Sequence, residues 1–185
     1  MTIEIIYETH AVTPDNHAGV ISGWRQSQLS PQGRRDAEAL GRRWRDAGVD
    51  VVYCSDFDRS VDTARIAFGA SDVPIRVDAR LRECNYGAMN GCTVAELDEA
   101  RPAHVDVPFP GDGQSFRDVI AATGDFLRDV RSRDDKRILI IAHSANKWAL
   151  DCLINGADIT ELVRGRFVWQ PGWRYQLATE EPVRG

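Results

Sequence analysis

The chain has 185 residues, 43% of them hydrophobic, and a formal net charge of −5, enough to bury one core and short enough for a single domain expected to span residues 1–185. An acidic balance offers no basic face to displace counterions from a polyanion, which argues against nucleic acid and anionic membrane as partners. Cys54, Cys84, Cys92 and Cys152 are too scattered for a zinc-ligand run or a disulfide framework. No stretch reaches the roughly 20 apolar residues of a membrane span, and the N-terminus lacks a basic leader, so the expected location is the cytoplasm.

Taken along the chain, β-rich runs occur at residues 3–7 (IEIIY), 51–54 (VVYC), 75–77 and 138–142 (ILIIA), with a last one near 173–177. Helical segments lie between them. Residues 31–47 open on Ser30-Pro31, a good N-cap followed by proline at the first helical position, and end near Gly48. A second helix is expected over about 60–68. A third, over 115–131, sets Phe116, Val119, Ile120, Ala122, Phe126, Leu127 and Val130 on one broad apolar stripe. Residues 101–114, with three prolines and two glycines, read as a loop able to cover a site. Trp169 and Trp173, flanking Gln170-Pro171-Gly172, suggest a final hairpin-like turn and an edge strand.

Strands alternating with helices predict an α/β architecture with a mostly parallel sheet, and in such sheets ligands sit beyond the carboxyl ends of the strands. Thr9 and His10 follow the first run, Ser55 to Arg59 the second, and His143 and Ser144 the fourth. A single histidine at a strand end is more often structural than functional. Two of them, with Arg59 at the start of a helix and small residues Ser144-Ala145 opening another, make an anion pocket the better reading. Glu83, in the turn-rich string RLRECNYG, is a candidate general acid.

Five stretches in order resemble the histidine phosphatase superfamily, the phosphoglycerate mutase-like proteins. THAVTPDN is similar to that family's opening RHGET-x-x-N, and SGWRQSQLSPQGRRDAEALGRR to the segment after it. YCSDFDRSVDTA matches the SSPLxRAxQTA stretch, RLRECNYGAMNG the RLRE-x-x-x-G-x-x-x-G stretch, and IAHSANKWAL the strand-end SHGG turn. The likeness runs from the first strand to about Gly156. It implies a three-layer α/β/α sandwich with a mostly parallel central sheet. It also implies a phosphomonoesterase acting on a small phosphorylated metabolite through phosphohistidine on His10, with Glu83 protonating the leaving oxygen. Arg59 and His143 would bind the phosphoryl group, and Thr9, Asn16, Ser22, Gly23 and Ser144 would line its pocket. No metal or cofactor is implied. A mutase-type phosphotransferase and a non-catalytic binder are the alternatives; the first is disfavoured because the chain lacks the insertion that mutases carry after the Glu83 segment.

The resemblance breaks at the nucleophile, where Thr9, Ala11 and Val12 stand in place of the family's arginine, glycine and glutamate. Arg25 and Lys147 are the candidates to compensate for the lost guanidinium, and Glu8, unusual in an apolar strand, is a candidate partner for one of them or for a cationic part of the substrate. Trp24, Tyr86, Phe109 and Trp148 are expected mostly in the core, with some shaping specificity. A free edge strand near the C-terminus leaves a homodimer open.

Overall fold

The computed structural model describes residues 2–179. Its five-stranded sheet comprises β1 (Thr2–Thr9), β2 (Val51–Cys54), β3 (Ile75–Val77), β4 (Arg137–Ala142) and β5 (Trp173–Ala178), in the order β3-β2-β4-β1-β5. The first four strands are parallel and β5 is antiparallel to β1. All five expected runs are strands.

Strand parity builds the layers. Ile3, Ile5 and Tyr7 of β1 point to one face with Ile138 and Ile140, where Phe126, Leu127 and Val130 of α5 (Phe116–Arg131) and Leu150 of α6 (Ser144–Asn155) cover them. Ile6, Leu139 and Ile141 point to the other face. There they meet Leu40 of α2 (Pro31–Trp44) and Ala64, Ala67 and Phe68 of α3 (Asp58–Phe68). The result is the expected α/β/α sandwich. Because β4 lies between β1 and β2, the carboxyl ends of these three strands, with the N-termini of α3 and α6, converge at one edge of the sheet.

Four sequence expectations need correction. The helix over 31–47 stops at Trp44, where the chain turns and the Ala47 N–H donates to the Trp44 carbonyl (3.1 Å). The second helix starts at Asp58, two residues before the expected position. The 101–114 segment meets the site only at Arg101: it opens as a 3₁₀ turn, Arg101–His104, and is then tied beside residues 85–88 by Gln114 N–H to Asn85 O and Ala88 N–H to Pro110 O, both 2.8 Å. Among the described residues there is no hairpin around Gln170-Pro171-Gly172, since β5 pairs with β1 rather than with the residues before it, and Trp169 is 55% exposed while Trp173 is buried.

Three short helices were not anticipated: α1 (Pro14–His17), α4 (Val94–Ala100) and α7 (Ile159–Arg164). α4 was legible in Thr93-Val94-Ala95-Glu96, whose capping box is closed in the structure, the Thr93 hydroxyl accepting from the Glu96 N–H at 3.3 Å and Glu96 accepting from the Thr93 N–H at 2.8 Å. Among the described residues no helix is long and apolar enough to cross a membrane.

Candidate active site

The nine residues singled out in the sequence all line one cleft of about 710 Å³ at the carboxyl edge of the sheet. β1 delivers Thr9 and His10, and the His10 N–H donates to the Ala142 carbonyl (2.9 Å), which extends the β1–β4 ladder by one bond. The next N–H, of Ala11, donates to Thr63 Oγ1 (3.0 Å), whose hydroxyl donates to the Arg59 carbonyl (2.6 Å). The strand end and the first turn of α3 are thus joined directly.

His10 Nδ1 lies 2.8 Å from the Ala11 carbonyl oxygen. A carbonyl only accepts, so Nδ1 carries the proton and Nε2 keeps its lone pair. Burial, then the nearby Arg59 guanidinium, lowers the imidazole pKa to about 3. The ring is neutral at physiological pH.

His143 ends β4 and caps α6, 5.1 Å from His10 between ring centroids. Ser55 Oγ is 2.8 Å from its Nε2, while Nδ1 is buried without a partner. Burial, Arg59 and His10 hold this imidazole well below its ordinary value. Its backbone carbonyl accepts from the buried Tyr7 hydroxyl.

Arg59 is 1% exposed. Its Nη2 donates to Gly23 O (2.6 Å), its Nη1 to Arg25 O (3.1 Å), and its Nε is buried without a partner. The guanidinium lies 4.6 Å over the Phe57 ring. Among the described residues it forms no ion pair; Asp56, a candidate partner by sequence, is taken by Arg82 through two bonds of 2.8 and 2.5 Å. A buried cation without a counter-ion is costly unless an anion arrives to pair with it.

Glu83 is fixed from both ends. Its backbone carbonyl accepts from Trp24 Nε1 (2.7 Å), and the preceding Arg82 carbonyl accepts from Asn146 Nδ2 (3.1 Å). Its carboxylate accepts from Cys84 N–H (2.9 Å), Ala145 N–H (3.3 Å) and the Ser144 hydroxyl (3.0 Å). The first turn of α6 therefore holds the carboxylate at the cleft wall. Gly23 adopts φ +54°, and a Cβ there would lie 1.9 Å from Asn90 Oδ1, so only glycine permits the backbone to pass. Asn16 uses its carbonyl oxygen on the Thr13 N–H (2.9 Å), which leaves its amide N–H₂ for the cleft, whereas the Ser22 hydroxyl donates to Asp15 (2.6 Å).

This constellation of two neutral imidazoles, an unpaired buried guanidinium and an anchored carboxylate agrees with comparison to known families. A family model described as "Histidine phosphatase superfamily (branch 1)" matches residues 9–171. The chain belongs to this superfamily. Phosphoserine phosphatase 1 of Hydrogenobacter thermophilus is 26% identical over 168 residues, covering 86% of this chain and 79% of that protein. A 2,3-bisphosphoglycerate-dependent phosphoglycerate mutase of Methylobacterium sp. is 29% identical over 184 residues, covering 89% and 86%. Among solved structures, Bacillus stearothermophilus YhfR superposes with a TM-score of 0.77 at 26% identity over 90% of this chain and 87% of that one. The structure titled "Mycobacterial hydrolase 2" superposes at 0.78 with 22% identity, over 88% and 77%.

Against the histidine phosphatase pattern, the structure overturns both candidates for replacing the arginine lost at Thr9. Lys147 pairs with Asp151 (2.5 Å) and lies over the Trp173 ring, and the Arg25 side chain packs on Gly91; neither lines the cleft. Nor does Glu8 pair with either. Strand parity turns it beneath α2, where, 1% exposed, it accepts from Trp44 Nε1 (2.6 Å) and Arg43 Nη2 (3.1 Å). It lines a smaller cavity of about 290 Å³ that shares Thr9, His10, Val12 and Trp169 with the cleft. Of the four aromatics considered, Tyr86 lines the cleft, Phe109 and Trp148 are buried in the core and Trp24 is on the surface. The sequence reading missed the far wall, built by Val94, Leu97, Asp98, Arg101, Arg166 and Trp169. No local motif marks these residues, and only the capping box of α4 pointed to an ordered element there.

Proposed function

We propose that this histidine phosphatase superfamily member is a phosphomonoesterase acting on a small phosphorylated metabolite, with His10 as nucleophile. The observation that carries the reading is Arg59: a buried guanidinium with an unpartnered Nε and, among the described residues, no ion pair, set beside two neutral imidazoles. In this reading Arg59 and the His143 Nδ1–H bind the equatorial phosphoryl oxygens, and the Asn16 amide assists them. His10 Nε2 attacks phosphorus in line as the P–O(ester) bond breaks, and Glu83 supplies the proton to the departing oxygen. Nδ1–H to the Ala11 carbonyl supports the imidazolium character that develops on His10. Water, deprotonated by Glu83, then breaks the P–N bond, releasing phosphate and restoring the lone pair. The donor set is complete without a metal, and we assign none.

The mutase relative favours a second reading, in which the phosphoryl group returns to the product. The chain passes from Glu83 through the short turn Gly87–Met89 almost directly into α4, without the mutase insertion, which supports hydrolysis. The four cysteines are free, with burial raising their thiols, Cys54 up to about 12 and Cys152 to about 11, which suits a cytoplasmic location. The test is phosphate release from a panel of phosphomonoesters by wild type and His10→Ala. Wild type should turn over and trap an acid-labile, base-stable phosphohistidine; normal turnover by His10→Ala would overturn the mechanism. Isotopic label moving between positions of phosphoglycerate, with activation by a bisphosphate, would favour the mutase.

A further inference from the structure

Beside the nucleophile, under α2, lies the second cavity, which the phosphoryl chemistry does not use. It holds about 290 Å³, is walled by Glu8 of β1 and by Asp36, Ala39, Leu40 and Arg43 of α2, and adjoins the cleft along Thr9, His10 and Trp169. Glu8 is 1% exposed, yet both its hydrogen bonds fall on one oxygen: Oε1 accepts from Trp44 Nε1 (2.6 Å) and Arg43 Nη2 (3.1 Å), and among the described residues Oε2 accepts none. A buried carboxylate oxygen without a donor is costly, and the cavity is the side from which a donor can reach it. Arg43 offsets the charge of Glu8 and His10 is neutral, so Asp36 leaves the lining with one net negative charge. Thr9, in the position of the family's arginine, stands at the boundary of the two cavities. A carboxylate short of a donor and a phosphoryl site short of a guanidinium therefore meet at successive residues.

We propose that this cavity binds a small organic monocation, a guanidinium or alkylammonium separate from the substrate, which supplies beside Thr9 the positive charge that the phosphoryl site lacks and so activates the enzyme. The activation rests on the phosphatase reading of the adjoining cleft. The cation is a separate molecule because the leaving group must extend from His10 toward its proton donor, and Glu83 lines the cleft but not the second cavity. It is organic because Ala39 and Leu40 suit a methyl or short alkyl stem, and the Trp169 ring at the shared boundary offers a face to a cation. A hard metal ion wants about six oxygen ligands, and among the described residues no group of three or more His, Cys, Asp or Glu side chains could hold one. A phosphate dianion in the cleft and a cation in the cavity attract each other across their common wall, so each tightens the other by the same factor.

The probe is methylguanidinium chloride, with sodium chloride at the same ionic strength as control, and the readout in each protein is the ratio of kcat/KM for p-nitrophenyl phosphate with and without the cation. Wild type should be activated saturably, by about tenfold or more, as expected for a charged hydrogen-bonded pair. Glu8→Gln, which keeps Oε1 as acceptor for Trp44, and Asp36→Asn, at a half-buried position on α2, should each need a severalfold higher concentration for the same activation. Thr9→Arg, which carries the guanidinium in the chain itself, should lose the response. No activation of wild type beyond the sodium control, equal activation constants in wild type and both carboxylate variants, or an undiminished response in Thr9→Arg overturns the proposal. A preference for ω-aminoalkyl over ω-hydroxyalkyl phosphates that Asp36→Asn abolishes, with no response to the free cation, overturns it in favour of a cation carried by the substrate. Two binding measurements separate this proposal from the phosphatase reading: the ¹⁵N–¹H shift of the Trp44 indole with methylguanidinium, and calorimetric affinity for inorganic phosphate with and without it. A saturable Trp44 shift with tighter phosphate binding, in a protein that releases no phosphate, retains the cation site and rejects the phosphatase. No saturable shift, or a phosphate affinity that the cation leaves unchanged, rejects the cation site irrespective of turnover.

Discussion

Glu83→Gln separates the proton donor from its scaffold. Glutamine keeps Oε1, and with it the Cys84 and Ala145 N–H bonds at 2.9 and 3.3 Å. The new N–H₂ occupies the position of Oε2, and the Ser144 hydroxyl, 3.0 Å away, can rotate from donor to acceptor. One hydrogen bond changes direction and none is lost, so the expected stability cost is below about 1 kcal/mol. The catalytic cost is much larger, because a positioned general acid contributes about 10²–10⁴ in rate, equivalent to roughly 3–5 kcal/mol of barrier. That cost depends on the leaving group. An alkoxide needs the proton, whereas p-nitrophenolate departs without it. The assay is kcat/KM, which reports the steps up to loss of the alcohol and not the later hydrolysis of phosphohistidine, on an alkyl phosphate and on p-nitrophenyl phosphate for wild type and Glu83→Gln, with the melting temperature as a control for folding. A loss of at least a hundredfold on the alkyl ester with less than tenfold on the aryl ester is expected. An equal loss on both substrates with an unchanged melting temperature would falsify the assignment of Glu83 as the acid.

Other consequences follow from the same geometry. Histidine ¹⁵N NMR should show His10 as the Nδ1–H tautomer and still neutral at pH 5; a titration near 6.5, or an Nε2–H tautomer, contradicts the bond to Ala11. Because the folded-state pKa of His10 is depressed to about 3, below pH 6.5 the unfolded chain binds a proton that the native chain refuses. This contribution to stability is complete above pH 6.5 and declines toward pH 3, by about 1.4 kcal/mol per pH unit. Urea titrations in phosphate-free buffer should show this slope between pH 6 and 4 flattened in His10→Gln, and parallel profiles for the two proteins count against it. Gly23→Ala forces a Cβ against Asn90 and a non-glycine residue into φ +54°; it should destabilise by about 1–3 kcal/mol and weaken vanadate binding, and a wild-type melting temperature would show that the turn is not so constrained. Glu8→Ala leaves Trp44 Nε1 unpaired under α2 and should cost about 2–4 kcal/mol with little change in KM, whereas a selective KM effect would reassign Glu8 to substrate binding.

The near half of the cleft was legible because parallel α/β topology and local chemistry point the same way. Residues at the ends of β1, β2 and β4 must meet if those runs form adjacent parallel strands, and an apolar run ending in histidine is visible in the string. The roles of Arg25, Lys147 and Glu8 were not legible, because charge type and chain position do not specify a side chain's direction. Glu8 lies under α2 through strand parity combined with the placement of Trp44, and Lys147 is captured by Asp151 one helical turn away, an i,i+4 pair visible only once α6 is known to be a helix. The far wall depends on contacts between distant segments: Arg101 is held by Asp98 nearby in sequence but also by Gly165 and Trp148, which no periodicity links to it.

Thr9 gives this arrangement its energetic logic. With Thr9 in the arginine position and Lys147 and Arg25 turned away, Arg59 is, among the described residues, the only lysine or arginine of the cleft lining apart from Arg101 and Arg166 of the far wall, and His10 and His143 are neutral. A single guanidinium with neutral donors grips a phosphate dianion less firmly than two guanidinium groups, by about 1.5–3 kcal/mol for each charged hydrogen bond removed. Generic esters that reach only this end should therefore bind poorly. Binding energy collected at the far wall can make up the difference, because interactions with remote parts of a substrate can be used to position its reacting centre. Thr9→Arg should then raise kcat/KM most for p-nitrophenyl phosphate, whose leaving group is small, and least for a substrate that spans the cleft. An equal gain on both would mean that the two ends of the cleft act independently.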